Sequence, residues 1–357
     1  MEQSKFFKSL KVIELSTVLA GPLTGTFFSE LGAKVLKYEP SSAGGDVTRS
    51  WKLASEASEH SISAYYASAN FNKEVRPLNL KSASDIEDIK EEISSADILI
   101  SNFRAGKLDS LGLGDDDLIE LNPKLIHGKI YGFGANSSRP AYDVVLQAES
   151  GFMLMNGEPS RPPVKMPVAL IDVLAAHHLK EGLLVALLRR ADSGKGSIVE
   201  VSLLDAAVSS LVNQATNWLM NKHIPQAIGS LHPNIAPYGE LFSCADDKLI
   251  VLAIGSNSQF ENLCENLELI ELISDSRFES NADRVQNRHQ LEELLQPVFK
   301  TKPREEWMSI LLANSVPAGA LYNLQEVFEK YPDIKILEEN QEGRETLRPA
   351  TIAFDIK

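Results

Sequence analysis

Through the first half of the chain, short apolar runs bounded by turn residues alternate with stretches whose apolar positions recur every three to four residues. Lys11-Val12-Ile13-Glu14-Leu15 reads as a buried strand. Ala20-Gly21-Pro22 then opens a helical pattern that ends at Gly32, and Ala33 to Tyr38 reads as a second strand. A helix over Ala83 to Ala96 and strands at Asp97 to Ser101 and Lys124 to Tyr131 continue the alternation. Beyond Asp172 a long apolar helix pattern runs to about Arg190. Gly194-Lys195-Gly196 makes a turn, and Ser197 to Ser202 gives a strand that feeds a helix through Asn221. This order predicts an α/β protein with a Rossmann-like, doubly wound parallel sheet that takes its ligands at the carboxyl ends of the strands.

The pattern changes after residue 220. Residues 221–237 are polar, with Pro and Gly, and read as a linker. Gly239 to Ile254 reads as paired strands about Asp246-Asp247, with helices following to about Ala313, so that 238–315 forms a smaller α+β domain. Residues 316–357 carry a helix at Leu324 to Lys330 and a β-like end, and are expected to return to the large domain of residues 1–220.

The 357 residues, 43% of them hydrophobic, suffice for two cores. A net charge of −14 argues against general affinity for nucleic acid or anionic membranes. Cys244 and Cys264 lack metal-like spacing and are expected to pack as reduced, small apolar residues. Met1 to Leu10 holds no signal-peptide run, and no segment approaches eighteen uninterrupted apolar residues; the expected location is the cytoplasm.

Familiar catalytic patterns are absent from the sequence. Leu19-Ala20-Gly21-Pro22 lacks dinucleotide-fingerprint spacing, and no phosphate loop, H-E-x-x-H zinc pair or G-x-S-x-G elbow occurs. Asn102-Phe103-Arg104-Ala105-Gly106-Lys107, just past a strand, combines an amide, a ring and two cations, a set able to hold a nucleotide or simply to form a solvated loop with Phe103 packed inward. Lys73, Arg76 and Lys81 make a second basic cluster, which by itself reads as wet surface. Asp172 stands where an extended run gives way to a helix. Helix-start N–H groups would keep it ionised, either as a cap or as a nucleophile.

These residues, taken in order, resemble the family III CoA-transferases, the class of formyl-CoA transferase, carnitine CoA-transferase and α-methylacyl-CoA racemase. The likeness runs through Glu14-Leu15 and Val18-Leu19-Ala20-Gly21-Pro22, Leu31 to Pro40, Gly45-Asp46, Arg49, Asn72-Lys73, Asn102-Phe103-Arg104 and Gly106. It continues through Leu111-Gly112-Leu113, Asn122-Pro123, Gly132-Phe133-Gly134, Tyr142-Asp143, Gln147-Ala148, Ser150-Gly151 and Asp172, then Asn281-Ala282, Arg284-Val285, Asn287-Arg288 and Val316-Pro317-Ala318-Gly319. Three stretches depart from the family pattern: Pro40 replaces an arginine, Ile254 to Ser258 replaces a glycine-rich loop, and Asn72 to Leu80 is altered.

The resemblance implies that Asp172 is the nucleophile and that coenzyme A contacts Thr17, Val18, Ala20, Leu78, Lys81, Asn102, Phe103 and Arg104. Gln147 would orient the carboxylate and Tyr142 would line the acyl pocket. It implies acyl-CoA and a small carboxylic acid as substrates, no tightly bound cofactor or metal, and two chains threaded through each other as an interlocked homodimer. CoA would pass from an acyl thioester to a free acid through aspartyl anhydride and aspartyl-CoA thioester intermediates. Two rival readings remain. Racemisation of a 2-methylacyl-CoA needs opposed acid/base groups, and Tyr142 stands where racemases carry a histidine, a phenol being a poor base at neutral pH. A non-catalytic CoA-binding protein would use Asp172 only as a cap. The sequence names no particular acid.

Overall fold

The structure is a computed structural model and describes residues 5–356, so the first four residues of the expected large domain lie outside the described residues. Six parallel strands form one sheet in the order β3-β2-β1-β4-β5-β6: β1 Lys11–Leu15, β2 Lys34–Pro40, β3 Glu74–Leu78, β4 Ile98–Ser101, β5 Ile126–Tyr131 and β6 Ser197–Ser202. Both faces are covered, which is why the central strands read as continuous apolar runs. Side chains alternate across the sheet. Val12, Ile98 and Ile100 pack under helices α1 (Ala20–Glu30) and α4 (Leu170–Ser193), while Ile13, Leu36 and Leu99 pack under α2 (Ala83–Ser94). Helix α4 lies so close to the sheet that a Cβ on Gly182 would come within 2.5 Å of Val199 Cγ1.

Two elements differ from the sequence reading. Strand β3 is hidden in sequence because Pro77 and the charged Glu74 and Arg76 interrupt it, and it occupies the sheet edge, where a proline is tolerated. The helix expected to run through Asn221 is two helices, Leu203–Ser209 and Asn213–Asn221, broken where Val212 takes φ 43°.

The chain divides into two compact units. The first holds this sheet, residues 165–224 and residues 334–357. Its C-terminal hairpin, β10 (Ile336–Gln341) with β11 (Arg344–Pro349), is tied to the rest of that unit by Gln341 Nε2 donating to Asn70 O (2.7 Å), Arg344 pairing with Glu56 (2.7 Å) and Arg348 pairing with Glu30. The second unit comprises 153–164 and 225–333. There β7 (Tyr238–Ser243), β8 (Leu249–Ala253) and β9 (Ala318–Ala320) form an antiparallel sheet against helices 257–266, 288–299 and 304–313. The chain thus returns to the first unit at 334 rather than 316, because Ala318–Ala320 adds a strand to β8. The expected linker likewise has most of its length, from 225, inside the second unit.

Cys244 and Cys264 are buried and unbridged in the second unit's core, and burial pushes the Cys264 thiol up to about 12. Arg284, fully buried, donates to Ala236 O, Phe278 O and Asn257 Oδ1, which gives that family-like position a structural role. Ser256 of the Ile254–Ser258 stretch accepts from Gln259 N and caps the helix that follows. No helix among the described residues is long and apolar enough to cross a membrane.

Candidate active site

The strand order reverses between β1 and β4, and the carboxyl ends of those two strands open a cleft of about 320 Å³. Asn102, just past β4, clamps the turn after β1: its Oδ1 accepts from Thr17 N (3.1 Å) and its Nδ2 donates to Thr17 O (2.8 Å). One acceptor site and one N–H of the amide are therefore taken by the chain itself. Asn102 thus staples two strand ends while it lines the cleft. Val18 follows at φ 72°, a conformation rarely held by a β-branched residue, and its N–H is fixed on the carboxylate of Asp46 (3.2 Å to Oδ2).

Beneath this turn lies a buried charge network. Lys37 Nζ meets Glu14 Oε1 at 3.2 Å, Asp46 Oδ2 at 2.9 Å and Asn70 Oδ1 at 2.9 Å; Lys73 Nζ meets Glu14 Oε2 at 2.7 Å and the carbonyls of Pro22 and Ala69 at 2.8 Å. A Cβ on Gly25 would sit 2.0 Å from Glu14 Oε2, so only glycine lets α1 pass over the network. Burial works against the Lys37 ammonium, but the carboxylates of Glu14 and Asp46 hold its pKa above the ordinary lysine value; Lys73 is pulled down to about 8, mainly by burial. Lys73 is thus an interior ion, not a member of a surface cluster with Arg76 and Lys81.

Asp172 lies in the first turn of α4, lines the cleft and is 8% exposed. The sequence predicts that helix-start N–H groups keep it ionised, and the structure reverses this. No hydrogen bond from a described residue reaches its carboxylate; burial, reinforced by the charge of Asp143, pushes it up to about 7. The N–H beside it goes to Asp143, at the start of α3 (Asp143–Glu149): Asp143 Oδ1 accepts from Ile171 N at 2.7 Å. Gln147, fully buried, does not touch Asp172. Its Nε2 donates to Asp143 Oδ2 (2.6 Å) and its Oε1 accepts from Met166 N (2.8 Å). The Tyr65 phenol, raised to about 12 by burial and then by the charges of Asp172 and Asp143, also senses this acidic pair.

The cleft therefore gathers Thr17, Val18, Ala20, Asn102, Phe103, Arg104, Tyr142 and Asp172. Phe103 also packs against the core under α2, whereas Arg104 is exposed and pairs with no described carboxylate. Leu78 and Lys81 are not among the lining residues. Leu78, at the sheet edge, borders a separate pocket with Tyr38, Arg76 and Asp88, and Lys81 is exposed on the loop beyond it. Ser137, Arg139, Tyr131 and Leu203 line the cleft without having been singled out in sequence. The 132–141 loop has no periodicity to mark it; beyond Gly132-Phe133-Gly134 its one charged residue is Arg139, whose guanidinium stacks 3.9 Å from the Phe133 ring centroid and pairs with Glu149 (2.6 Å).

The family model described as CoA-transferase family III matches residues 7–345. Among curated proteins, the chain is 33% identical to human succinyl-CoA:glutarate CoA-transferase, covering 92% of this chain and 74% of that one. It is 34% identical to succinate–glutarate CoA-transferase of Agrobacterium fabrum, over 89% of this chain and 80% of that one. Identity to acetyl-CoA:oxalate CoA-transferase of Acetobacter aceti is also 34%, over 90% and 82%. Among solved structures, a CaiB/BaiF family protein from Brucella suis superposes with a TM-score of 0.85 at 32% identity, covering 98% of this chain and 92% of that one.

Proposed function

The chain belongs to CoA-transferase family III, and we propose that it moves CoA between short dicarboxylic acids with Asp172 as the nucleophile. The observation that carries the reading is the state of that carboxylate. It lines the cleft at the sheet's switch point, accepts no hydrogen bond from a described residue, and is raised to about 7 by burial and by Asp143. A carboxylate stripped of solvent and partners keeps its lone pairs for attack.

In the proposed cycle an Asp172 oxygen attacks the thioester carbonyl carbon, the C–S bond breaks, and CoA leaves as thiolate, giving an acyl-aspartyl anhydride. The thiolate then attacks the aspartyl carbonyl carbon and expels the donor acid, leaving an aspartyl-CoA thioester. The acceptor carboxylate attacks that thioester and regenerates anhydride and thiolate. The thiolate finally attacks the acyl carbon, releasing the new acyl-CoA and free Asp172. Keeping thiolate and anhydride together in the cleft supplies on the order of 7–11 kcal/mol relative to separated reactants.

Support for the acid class comes from the curated relatives, whose names specify succinate, glutarate and oxalate, and from two guanidiniums lining the same cleft as Asp172. Arg104, which pairs with no described carboxylate, suits a CoA phosphate, and Arg139, on exchanging its two bonds to Glu149 for the substrate, suits the distal carboxylate of the acid. Arg139→Gln is expected to raise KM for glutarate or succinate about tenfold while leaving a monocarboxylate acceptor within about twofold, as loss of one charge-assisted bond predicts; equal KM changes for both acids would remove Arg139 from that role.

The interlocked homodimer belongs to the same reading. Leu188, Trp218, Leu219 and Met220 are large apolar side chains left exposed along the segment from α4 to residue 224. Light scattering should return twice the chain mass.

The direct test of the function is exchange between succinyl-CoA and a panel of free acids, with intact-mass detection of CoA on the protein and hydroxylamine trapping at Asp172. Exchange without any mark at Asp172 would overturn the nucleophile, and deuterium entry at the α-carbon without acyl exchange would replace transfer by racemisation.

A further inference from the structure

Gln147 does not touch Asp172, is fully buried, and satisfies two groups that belong to different elements. Its Nε2 donates to Asp143 Oδ2 at 2.6 Å and, at 3.4 Å, to Val168 O, and its Oε1 accepts at 2.8 Å from Met166 N, Met166 and Val168 both lying in the segment that leads into α4. Asp143 in turn accepts at 2.7 Å from the N–H of Ile171, the residue before Asp172. No side chain caps α4 at its own N-cap, Ala169. The first turn of the helix is thus held from outside, by a carboxylate that is itself held by an amide. We propose that Gln147 is a positioning residue for the transfer reaction, locking Asp143 and through it the first turn of α4, so that the Asp172 carboxylate faces the cleft without accepting a helix N–H itself.

The inference rests on Asp172 being the nucleophile. Its logic is one of donor polarity. Asp143 offers only acceptors and spends one on Ile171 N–H; its other oxygen needs a donor, which Gln147 supplies while keeping an acceptor for Met166 N–H. Met166 and Ile171 bracket the chain immediately before Asp172, so loss of the clamp frees both ends of that segment. Ile171 N–H would then be open to a new acceptor, and the Asp172 carboxylate lies in the same helical turn. Asp143 also sits close enough for its charge to raise Asp172, so the clamp sets both where the nucleophile points and which ionisation state it holds.

In Gln147→Glu the donor is lost and two carboxylates face each other. In the double variant Asp143→Asn/Gln147→Glu the three short bonds of the clamp can re-form with the roles exchanged, and only the long 3.4 Å contact from the 147 side chain to Val168 O is given up. The amide introduced on the first residue of α3 accepts from Ile171 N–H through its oxygen and donates through its nitrogen to the carboxylate introduced one turn later. The second oxygen of that carboxylate accepts from Met166 N–H. Amide hydrogen exchange of the 166–172 segment needs no turnover and reads the clamp alone. Protection should be lost in Gln147→Glu and regained in the double variant. In steady state, Gln147→Glu should lower kcat by ~10- to 100-fold with KM for acyl-CoA within about twofold, the range expected when a reacting group is displaced by about an ångström. The double variant should recover at least tenfold of that loss, and its acid limb in kcat/KM should lie below the parent's, because the negative charge has moved one side chain further along α3.

Unchanged protection and kcat in Gln147→Glu would overturn the proposal, as would a double variant no better than the single one. Failure of the parent protein to exchange CoA or to label at Asp172 would instead strike the functional reading, and the hydrogen-exchange result would still stand or fall separately.

Discussion

Asp172→Asn is expected to lose CoA exchange by ~10⁴-fold or more, the scale seen when a catalytic nucleophile is removed, and at the same time to melt at a higher temperature than the parent protein at pH 8. The two effects share a cause. The Asp172 carboxyl is raised from 3.8 to about 7 in the folded chain, first by burial and then by Asp143. The folded state therefore holds a proton that the unfolded state has already released between those two values, so stability falls as pH rises through that window. Above pH 7 the full penalty applies, about 4 kcal/mol at 1.36 kcal/mol for each unit of difference. Below pH 4 both states are protonated and the penalty vanishes. Asparagine keeps the shape without the charge. Its advantage in denaturant midpoint should thus be largest at pH 8, shrink through pH 6 and close near pH 4. In the parent protein kcat/KM should climb with pH through about 7 as the Asp172 carboxyl ionises, if it is the nucleophile proposed. A variant no more stable than the parent at pH 8, or an acid limb near pH 4, would show that Asp172 is not held in the raised state.

Such a cost at a cleft residue is a familiar exchange of stability for function. It is also the part of the site least visible in the residue order. Strands β1 and β4 could be read directly, because buried parallel strands are short apolar runs and Val12-Ile13 or Ile98-Leu99-Ile100 admit little else. Strand β3 could not, since Glu74-Val75-Arg76-Pro77 reads as loop until the sheet edge explains it. Resemblance pointed to Asp172, Asn102 and Gln147 but not to the partners the fold gives the last two. Asn102 bonds in both directions to Thr17, and Gln147 to Asp143, Met166 and Val168. The ionisation of Asp172 depends on Asp143, on a different helix, and the bareness of its carboxylate depends on Asp143 taking Ile171 N–H. None of this is local in sequence. Charged residues misled in the same way: Lys73 looks like wet surface beside Arg76 and Lys81, yet it is neutralised in the interior by Glu14, far upstream in the chain.

That interior network yields the second large effect. Lys37→Met is expected to destabilise the protein by about 3–5 kcal/mol, the usual result of deleting one partner from a buried ion pair. Lys37 Nζ is wholly buried and reaches Glu14, Asp46 and Asn70, so its loss leaves carboxylates in the interior with fewer partners. Glu14 keeps Lys73, but Asp46 keeps only Thr48 and the N–H of Val18. Burial works to raise the Asp46 carboxyl, and Lys37 is the chief influence holding it below the carboxylate range; without the ammonium, Asp46 should take up a proton at a higher pH. The loss of stability should therefore be largest near neutrality, where Asp46 would have to stay charged, and should narrow on acidification. Because the network is dry, added salt should leave the difference unchanged. Arg76→Met supplies the contrast: Arg76 pairs with Glu74 and Glu92 at partly exposed positions, and its removal should cost less than about 1 kcal/mol, with a cost that shrinks as salt rises. Urea titrations of both variants at two salt concentrations would decide the matter. A Lys37→Met cost as small and as salt-sensitive as that of Arg76→Met would mean that the Val18 turn does not depend on the charges beneath it. A large, salt-independent cost accompanied by reduced CoA exchange would tie the geometry of the cleft to an ion network whose residues do not line it.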